Sequence, residues 1–345
     1  MQIEQGALPV QNGRATWPAA GAVRLHTIMF GYLSSKAVFS ALELGVFDAL
    51  EVQPGTAEEV AEQLGLPERS IRLLLLALLG SDLVELDGDV YRNAPDVAPY
   101  LLSDSPQYVG ALAAHQDAHF GRFARLADAV QRNAPVPTDL DGDHPAFGGP
   151  ERFARITRTA AMMMMAEGLA RHAPLQGRQH LVDLGCGSCV YSIALAKAHP
   201  DLRVTAVDRP SLRRFASASV AEAHLSDRIT VRAGDIFLDS FEPGEVALLS
   251  NVAEGYDAAR AAKLVKQVYD WLPDGGELLL HSHMWEQAET AFPFTIGLIL
   301  LVNNAQGGEP YGATVTRGWM EAAGFCEIHP AVTVSPISAM VRAVK

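Results

Sequence analysis

The stretch Asp183-Leu-Gly-Cys-Gly-Ser-Cys189 carries two kinds of chemistry at once. Read as D-x-G-x-G, the acid Asp183 with Gly185 and Gly187 makes a tight turn. Its backbone can approach a ligand closely and leave amide N–H groups free to bind it. Read as C-x-x-C, Cys186 and Cys189 make a redox pair or half of a zinc site, with a thiol acidified at a helix start. No second cysteine pair exists to complete a zinc site, because the chain holds three cysteines and the third is Cys326. Two further acids favour the ligand turn. Asp208 follows about twenty residues on, where a carboxylate can accept both hydroxyls of a ribose. Gly234-Asp235-Ile236-Phe237 then sets an acid beside apolar side chains able to grip an adenine. A nicotinamide site would more typically show G-x-G-x-x-G, and the last of those positions is Val190. The cysteines therefore read as incidental. Cys189 stands where D-x-G-x-G-x-G has its third glycine, and its side chain is expected to narrow the space beside the ligand.

A second group of reactive side chains lies downstream, in SNVAEGYD (250–257) and His281-Ser-His283. Glu254, His281 and His283 are candidates for acid–base work. Two histidines and a carboxylate are also a metal-site composition, although no spacing fixes a third ligand.

The elements that must hold these residues have two grammars. Up to about residue 105 the chain reads as helices and one hairpin. Thr56-Ala-Glu-Glu59 is a capping box, Gly65-Leu-Pro67 ends one helix and begins the next, and Asp87-Gly88 turns a hairpin. Helix, turn, helix and hairpin make a winged-helix pattern, but the second helix carries Leu73 to Leu76, Leu78 and Leu79 and is too apolar to face DNA. The stretch Met29 to Leu50 is likewise too apolar for a surface helix, so this half reads as a packing and dimerisation module. Residues 106–345 form the second domain, with a helical segment at 106–175 that contains the run Met162 to Met165, followed by strands alternating with helices. Its strands are continuous apolar runs, as in a doubly wound α/β sheet, and ligands of such sheets sit at the carboxyl ends of the strands.

Composition narrows the function. With 49% apolar residues in 345 a large core is available, and a formal charge of −13 opposes nucleic-acid or anionic-membrane partners. No basic start followed by an apolar run reads as a signal peptide, and the longest apolar candidate, Thr295 to Val302, is too short to span a membrane. Few cysteines suggest a reducing, cytoplasmic setting.

Together LELGVFDAL, TAEEVAEQLG, VDLGCGS, the acid of AVDRP, AGDIF and MEAAGF resemble the S-adenosylmethionine-dependent class I methyltransferases over nearly the whole chain. More narrowly, they are similar to the two-domain O-methyltransferases of plant caffeic acid and bacterial polyketide or antibiotic pathways. The resemblance implies a Rossmann-like sheet behind a winged-helix dimerisation domain, a homodimer, and methyl transfer to a small aromatic or polyketide-like acceptor. It implies that Gly185 and Gly187 approach the methionine and ribose parts of S-adenosylmethionine, Asp208 holds the ribose, and Asp235 and Ile236 hold the adenine. Asp183 and Gly234 complete those strand ends, and Ser250 stands where the family often keeps a lysine. His115, Ala161, Met164, Asn303 and Asn304 fall at acceptor-pocket positions. The family's base, a histidine after the fourth strand, is here Glu254. Its two supporting acids fall on Ser282, between His281 and His283, and near Pro310, beside Glu309.

Three mechanisms follow. Glu254 serves as base with burial raising its pKa, since a carboxylate near 4.3 suits a phenol near 10 poorly. Or His281, His283 and Glu254 hold a metal. Or positioning alone, able to supply about 7–11 kcal/mol against about 3–5 kcal/mol for a base, is sufficient. Methylation of carbon or nitrogen, a 2-oxo acid acceptor, and a cofactor-retaining pericyclase, hydroxylase or decarboxylase are the alternatives.

Overall fold

Hydrophobic period and turn chemistry change near residue 180, and the computed structural model changes architecture there. It describes residues 10–11, 14–15, 20–105, 107–137, 149–242, 244–287, 289–304 and 306–345, without the side chains of residues 10, 11, 14, 15, 20, 160 and 161. By internal contacts the chain divides into Met1–Asp117 and Ala118–Lys345.

The first unit holds a short ribbon, β1 (Val10–Gln11) and β2 (Arg14–Ala15). It continues with α1 (Ala20–Glu43), α2 (Val46–Val52), α3 (Ala57–Leu64), α4 (Glu68–Leu79), the hairpin β3 (Val84–Asp87) and β4 (Val90–Asn93), and α5 (Ala98–Leu101); α6 (Gly110–Phe123) begins in it. Thr56 caps α3 as its sequence demands: its hydroxyl accepts from the Glu59 amide at 3.3 Å, and its own amide donates to the Glu59 carboxylate at 2.7 Å. Gly65 and Gly88 end α3 and turn the hairpin at positive φ. Phe47, Leu50, Val60, Ile71, Leu75, Leu78 and Val84 form one core, the winged-helix arrangement expected. Two expectations of burial change. Gly45, at φ +72°, breaks the Met29–Leu50 run between α1 and α2. Ile28 and Met29 stand 69% and 67% exposed because the first half of α1, to about residue 35, is uncovered almost all round in this unit, and Leu73 and Leu76 are exposed because α4 is covered only on its Ile71, Leu75 and Leu78 side.

In the second unit α7 (Leu126–Arg132), α8 (Pro150–Ile156) and α9 (Ala160–His172) precede the sheet, so segment 106–175 is mainly helical where described; residues 138–148 lie outside the described residues. The alternation then runs β5 (His180–Leu184), α10 (Val190–Ala198), β6 (Arg203–Asp208), α11 (Pro210–Glu222), β7 (Ile229–Ala233), β8 (Val246–Ser250), α12 (Ala258–Trp271) and β9 (Glu277–Ser282). It ends with α13 (Phe292–Asn303), α14 (Ala313–Ala323), β10 (Glu327–Ile328), β11 (Val332–Ser335) and β12 (Ser338–Val344). The sheet order is β10-β12-β9-β8-β5-β6-β7, with β11 on β12. Strands β5 to β9 pair in parallel, and β12 runs antiparallel to β9. β8 and β9 are buried along their whole length, which explains their unbroken apolar sequence. From β5 the chain adds β6 and β7 on one side and β8 and β9 on the other, so the crevice of this open sheet lies at the carboxyl ends of β5 and β8.

Candidate cofactor and acceptor site

The turn after β5 is shaped by its glycines. Gly185 has φ +84°, and a Cβ there would lie 2.6 Å from Val252. Gly187 has φ +56° and faces room: a Cβ there would meet nothing nearer than Thr157, at 3.9 Å. Its amide donates to Asp208 Oδ2 at 2.7 Å, and Gly185 and Cys186 donate to the carbonyl of Val207 at 2.8 and 3.0 Å. The turn is therefore pinned to the end of β6, with its acid on the neighbouring strand. Beneath it Asp183 is buried and accepts from Ser192 at 2.6 Å, while its Oδ1 has no hydrogen-bond partner among the described residues. Burial, partly offset by Ser192 and reinforced by Asp208, pushes the Asp183 carboxyl up to about 7. Asp235, after β7, accepts from the Phe237 amide at 2.8 Å, and its own amide donates to Asp239 at 2.8 Å. Ile236 packs half-buried beside it, and Gly234 is needed by its neighbours, since a Cβ would come within 2.9 Å of the Phe241 ring. The cradle at Gly187, the carboxylates at three successive strand ends and the orphaned Asp183 oxygen fit a nucleoside-type ligand.

Cys189 does not line that cradle. It holds φ +64° and is fully buried in the core with Met165, Leu195 and Cys186, so the expected narrowing beside the ligand does not occur. Its left-handed backbone is the glycine conformation of the motif kept by a residue with a Cβ. Cys186 is equally buried, and both thiols are free.

At the ends of β8 and β9 the second group comes together. Glu254 sits in the short turn Ala253–Gly255 and is 6% exposed. Its Oε1 lies 2.9 Å from His283 Nδ1 and accepts from Asn251 Nδ2 at 3.0 Å. Its Oε2 accepts from the Ser282 hydroxyl and from the His283 amide, the latter at 3.2 Å. Burial alone would raise this carboxyl, as expected, but His283 and the hydrogen bonds from His283, Ser282 and Asn251 outweigh it and hold it at about 2. A carboxylate so stabilised is a poor base, which corrects the expectation that burial tunes Glu254 upward. His281 is fully buried, with Nδ1 2.7 Å from the Ser250 hydroxyl and its ring edge-on to Tyr191. Burial, with His283 nearby, pushes it down to about 3. Among the described residues no three histidine, cysteine or acidic side chains are placed to share a metal ion, so the arrangement of His281, His283 and Glu254 around one ion is not formed.

The remaining expected residues scatter. Asn304 donates to the Gly255 carbonyl at 2.6 Å and accepts from the Gln306 amide, tying the loop around Gly307 and Gly308 to the Glu254 turn. Gly308 rests on that turn so closely that a Cβ would overlap the Glu254 carbonyl. Asn303 accepts from Arg122 at 2.8 Å, which also binds the carbonyls of Val136 and Val302. Met164 is exposed on α9, where Met165 fills the core; Ala161 is on the same helix, and His115 is buried on α6 in the first unit. Glu309 is exposed. Sequence reasoning passed over Asn251, Tyr191, Thr157 and Arg122. Asn251, at φ +55° after a buried strand, carries the one available signal, since asparagine tolerates the left-handed region. Tyr191 donates to its Oδ1 at 2.8 Å, and Thr157 holds Ser188 of the glycine turn at 3.0 Å.

Comparison with known proteins finds likenesses over both parts of the chain. The O-methyltransferase domain matches residues 149–326 and the O-methyltransferase dimerisation domain residues 26–104. The N,N-dimethyltransferase OxyT of Streptomyces rimosus is 29% identical over 89% of this chain and 92% of its own length. The 3-hydroxy-5-methyl-1-naphthoate 3-O-methyltransferase of Streptomyces sahachiroi is also 29% identical, over 89% of this chain and 90% of its own. The solved structure of PigF with SAH superposes with a TM-score of 0.83 at 22% identity, covering 95% of this chain and 100% of that one. With both domains matched, the chain belongs to the two-domain, S-adenosylmethionine-dependent O-methyltransferase family.

Proposed function

We propose that this methyltransferase acts on a hydroxyl oxygen of a small aromatic or polyketide-like acceptor in secondary metabolism. The observation that carries the reading is the row of strand ends β6, β5, β8 and β9. It sets the Asp208 carboxylate and the glycine turn beside a buried carboxylate–imidazole pair that can handle a proton. Bound in the cradle, S-adenosylmethionine supplies an electrophilic methyl group on a sulfonium sulfur. Gly185 and Gly187 bring backbone against its methionine and ribose portions, Asp208 accepts from the ribose hydroxyls, and Asp235 and Ile236 flank the adenine. Asp183 and Gly234 support these ends from below, and Ser250, bonded to His281, steadies the end of β8. Asn303 and Asn304, engaged in structural bonds, shape the acceptor side through their loop, and Met164 and Ala161 of α9 are assigned to the acceptor side as well.

A hydroxyl suits this site because a phenol must lose its proton for its oxygen to attack well, whereas an amine attacks as the free base. An amine acceptor is the second reading, supported by the likeness to OxyT. The matched dimerisation domain and the exposed apolar face of α1 support a homodimer. Calorimetry tests the cofactor assignment: Asp208→Ala is expected to weaken S-adenosylmethionine binding at least about tenfold, the loss of one charge-assisted hydrogen-bond pair. Unchanged affinity would remove Asp208 from the site.

A further inference from the structure

Building on the hydroxyl-methylating reading, we propose that His283 Nε2 accepts the acceptor's proton and that Glu254 is its positioning residue rather than the base. The argument begins with the lone pairs of Glu254. An ionised carboxylate offers about four acceptor sites, and four donors meet this one. His283 Nδ1 and Asn251 Nδ2 address Oε1, while the Ser282 hydroxyl and the His283 amide address Oε2. No site is left on Glu254 for the hydroxyl of an acceptor. The imidazole is the opposite case. A carboxylate 2.9 Å from Nδ1 fixes the proton on that nitrogen, which leaves the lone pair on Nε2. Asn251 Nδ2 also lies 2.9 Å from Nδ1, but two N–H groups cannot bond each other, so its hydrogen goes to Oε1; its oxygen is taken by Tyr191. Among the described residues Nε2 has no hydrogen-bond partner, and the ring rests edge-on against Phe292 at 5.5 Å.

Placement agrees. His283 is the first residue beyond β9, and β9 lies two strands from β5 and its glycine turn, roughly 10 Å across the sheet. His281 cannot substitute, being fully buried with Nδ1 bonded to Ser250. In the step itself the acceptor's O–H bond breaks and its proton passes to Nε2. The oxygen's electron pair forms the bond to the methyl carbon, and the pair of the broken carbon–sulfur bond stays on sulfur. The imidazolium, stabilised by Glu254, later returns its proton to water. The titratable groups facing the ring are Glu254 from the turn after β8 and His281 from β9; Tyr191 of α10 reaches it through Asn251, and α13 presents only Phe292.

His283→Asn is the decisive variant, because an asparagine amide can still donate to Glu254 while Nε2 is gone. Nitrogen-15 NMR of the full chain, labelled at histidine and measured at pH 8, is expected to show, beside His172 whose Nδ1 faces the Gly168 carbonyl at 2.8 Å, a second ring protonated at Nδ1 and bare at Nε2. That signal should vanish in His283→Asn and turn into a tautomer mixture in Glu254→Gln. A His283 ring protonated at Nε2 and bare at Nδ1 overturns the proposal, whatever the enzyme methylates. With S-adenosylmethionine and 2-naphthol as probe acceptor, His283→Asn is expected to lose about 10²-fold in kcat. Its KM and its calorimetric cofactor affinity should stay within about threefold of wild type. Glu254→Gln should lose less and move the acid limb of the pH profile to lower pH, because the imidazolium has lost its counter-charge. A His283→Asn enzyme within threefold of wild-type kcat sinks the assignment. A wild type that binds no S-adenosylmethionine sinks the functional reading instead, and the tautomer measurement then still decides the pair.

Discussion

Taking a carboxylate out of water raises its pKa unless donors gather around it, and at Glu254 the donors win. Its carboxyl is held at about 2, against about 4.3 in an unfolded chain. Folding is therefore stabilised by the ionised form, by about 3 kcal/mol at neutral pH on the scale of that difference. This contribution is complete above about pH 5 and disappears as pH falls from about 4 towards 2. Glu254→Gln is expected to be less stable than wild type by that order in urea unfolding at pH 7, with the gap closing as the acid range is entered. A gap that stays constant down to pH 3 would mean that the charge is not what the donors stabilise. Cys189 shows the converse at residue scale: the turn demands a left-handed backbone there, and the buried thiol supplies packing where a glycine would supply only conformational freedom.

Strand β9 is the element that joins scaffold to chemistry. At its carboxyl end stand His281 and His283; at its amino end Glu277, almost wholly buried, accepts from Arg342 at 2.6 and 3.0 Å and pairs with Arg178. Burial alone would raise the Glu277 carboxyl, but the hydrogen bonds from Arg342 and Arg178 hold it below its ordinary value. Removing one member of a wholly buried pair costs about 3–5 kcal/mol. The two arginines here keep some contact with water, so Glu277→Ala is expected to cost about 2 kcal/mol by denaturant unfolding, while cofactor affinity measured by calorimetry stays at wild type. A fall in that affinity would show that the register of β9 moves with its anchor. The same reasoning applies to Arg122, whose three bonds tie the end of α6 to α13 and to Val136.

At the scale of the molecule, the first half of α1 leaves a run of apolar side chains uncovered in a single chain. Ile28, Met29, Tyr32 and Leu33 are exposed within the region matched by the dimerisation domain. Because they bury little in one chain, charges there should barely disturb its folding but should oppose burial in an interface. The double substitution Ile28→Glu, Met29→Glu is expected to turn a dimer into a monomer in analytical ultracentrifugation, with the helical circular dichroism retained. A dimer that survives would place the interface elsewhere. No described helix is long and apolar enough to cross a membrane.

The sequence by itself determined what is written in neighbouring residues. The Thr56 cap, the turn at Gly88, the parallel strands as apolar runs and the glycine turn between Asp183 and Gly187 all follow from local period and local conformational demand. The acid at the end of β6 was legible too, because a strand end is a local event. Only the tertiary structure decided who shares the carboxylate of Glu254. Ser282 and His283 come to it from 28 and 29 residues away, and Tyr191 reaches Asn251 across 60, because β8 lies between β5 and β9. Strand order is a long-range property that no single stretch encodes. The sign of the Glu254 pKa follows from it: burial was readable from the residue's position at a strand end, but the His283 imidazole and the hydrogen bonds from His283, Ser282 and Asn251 that reverse its effect arrive only when the strands are assembled.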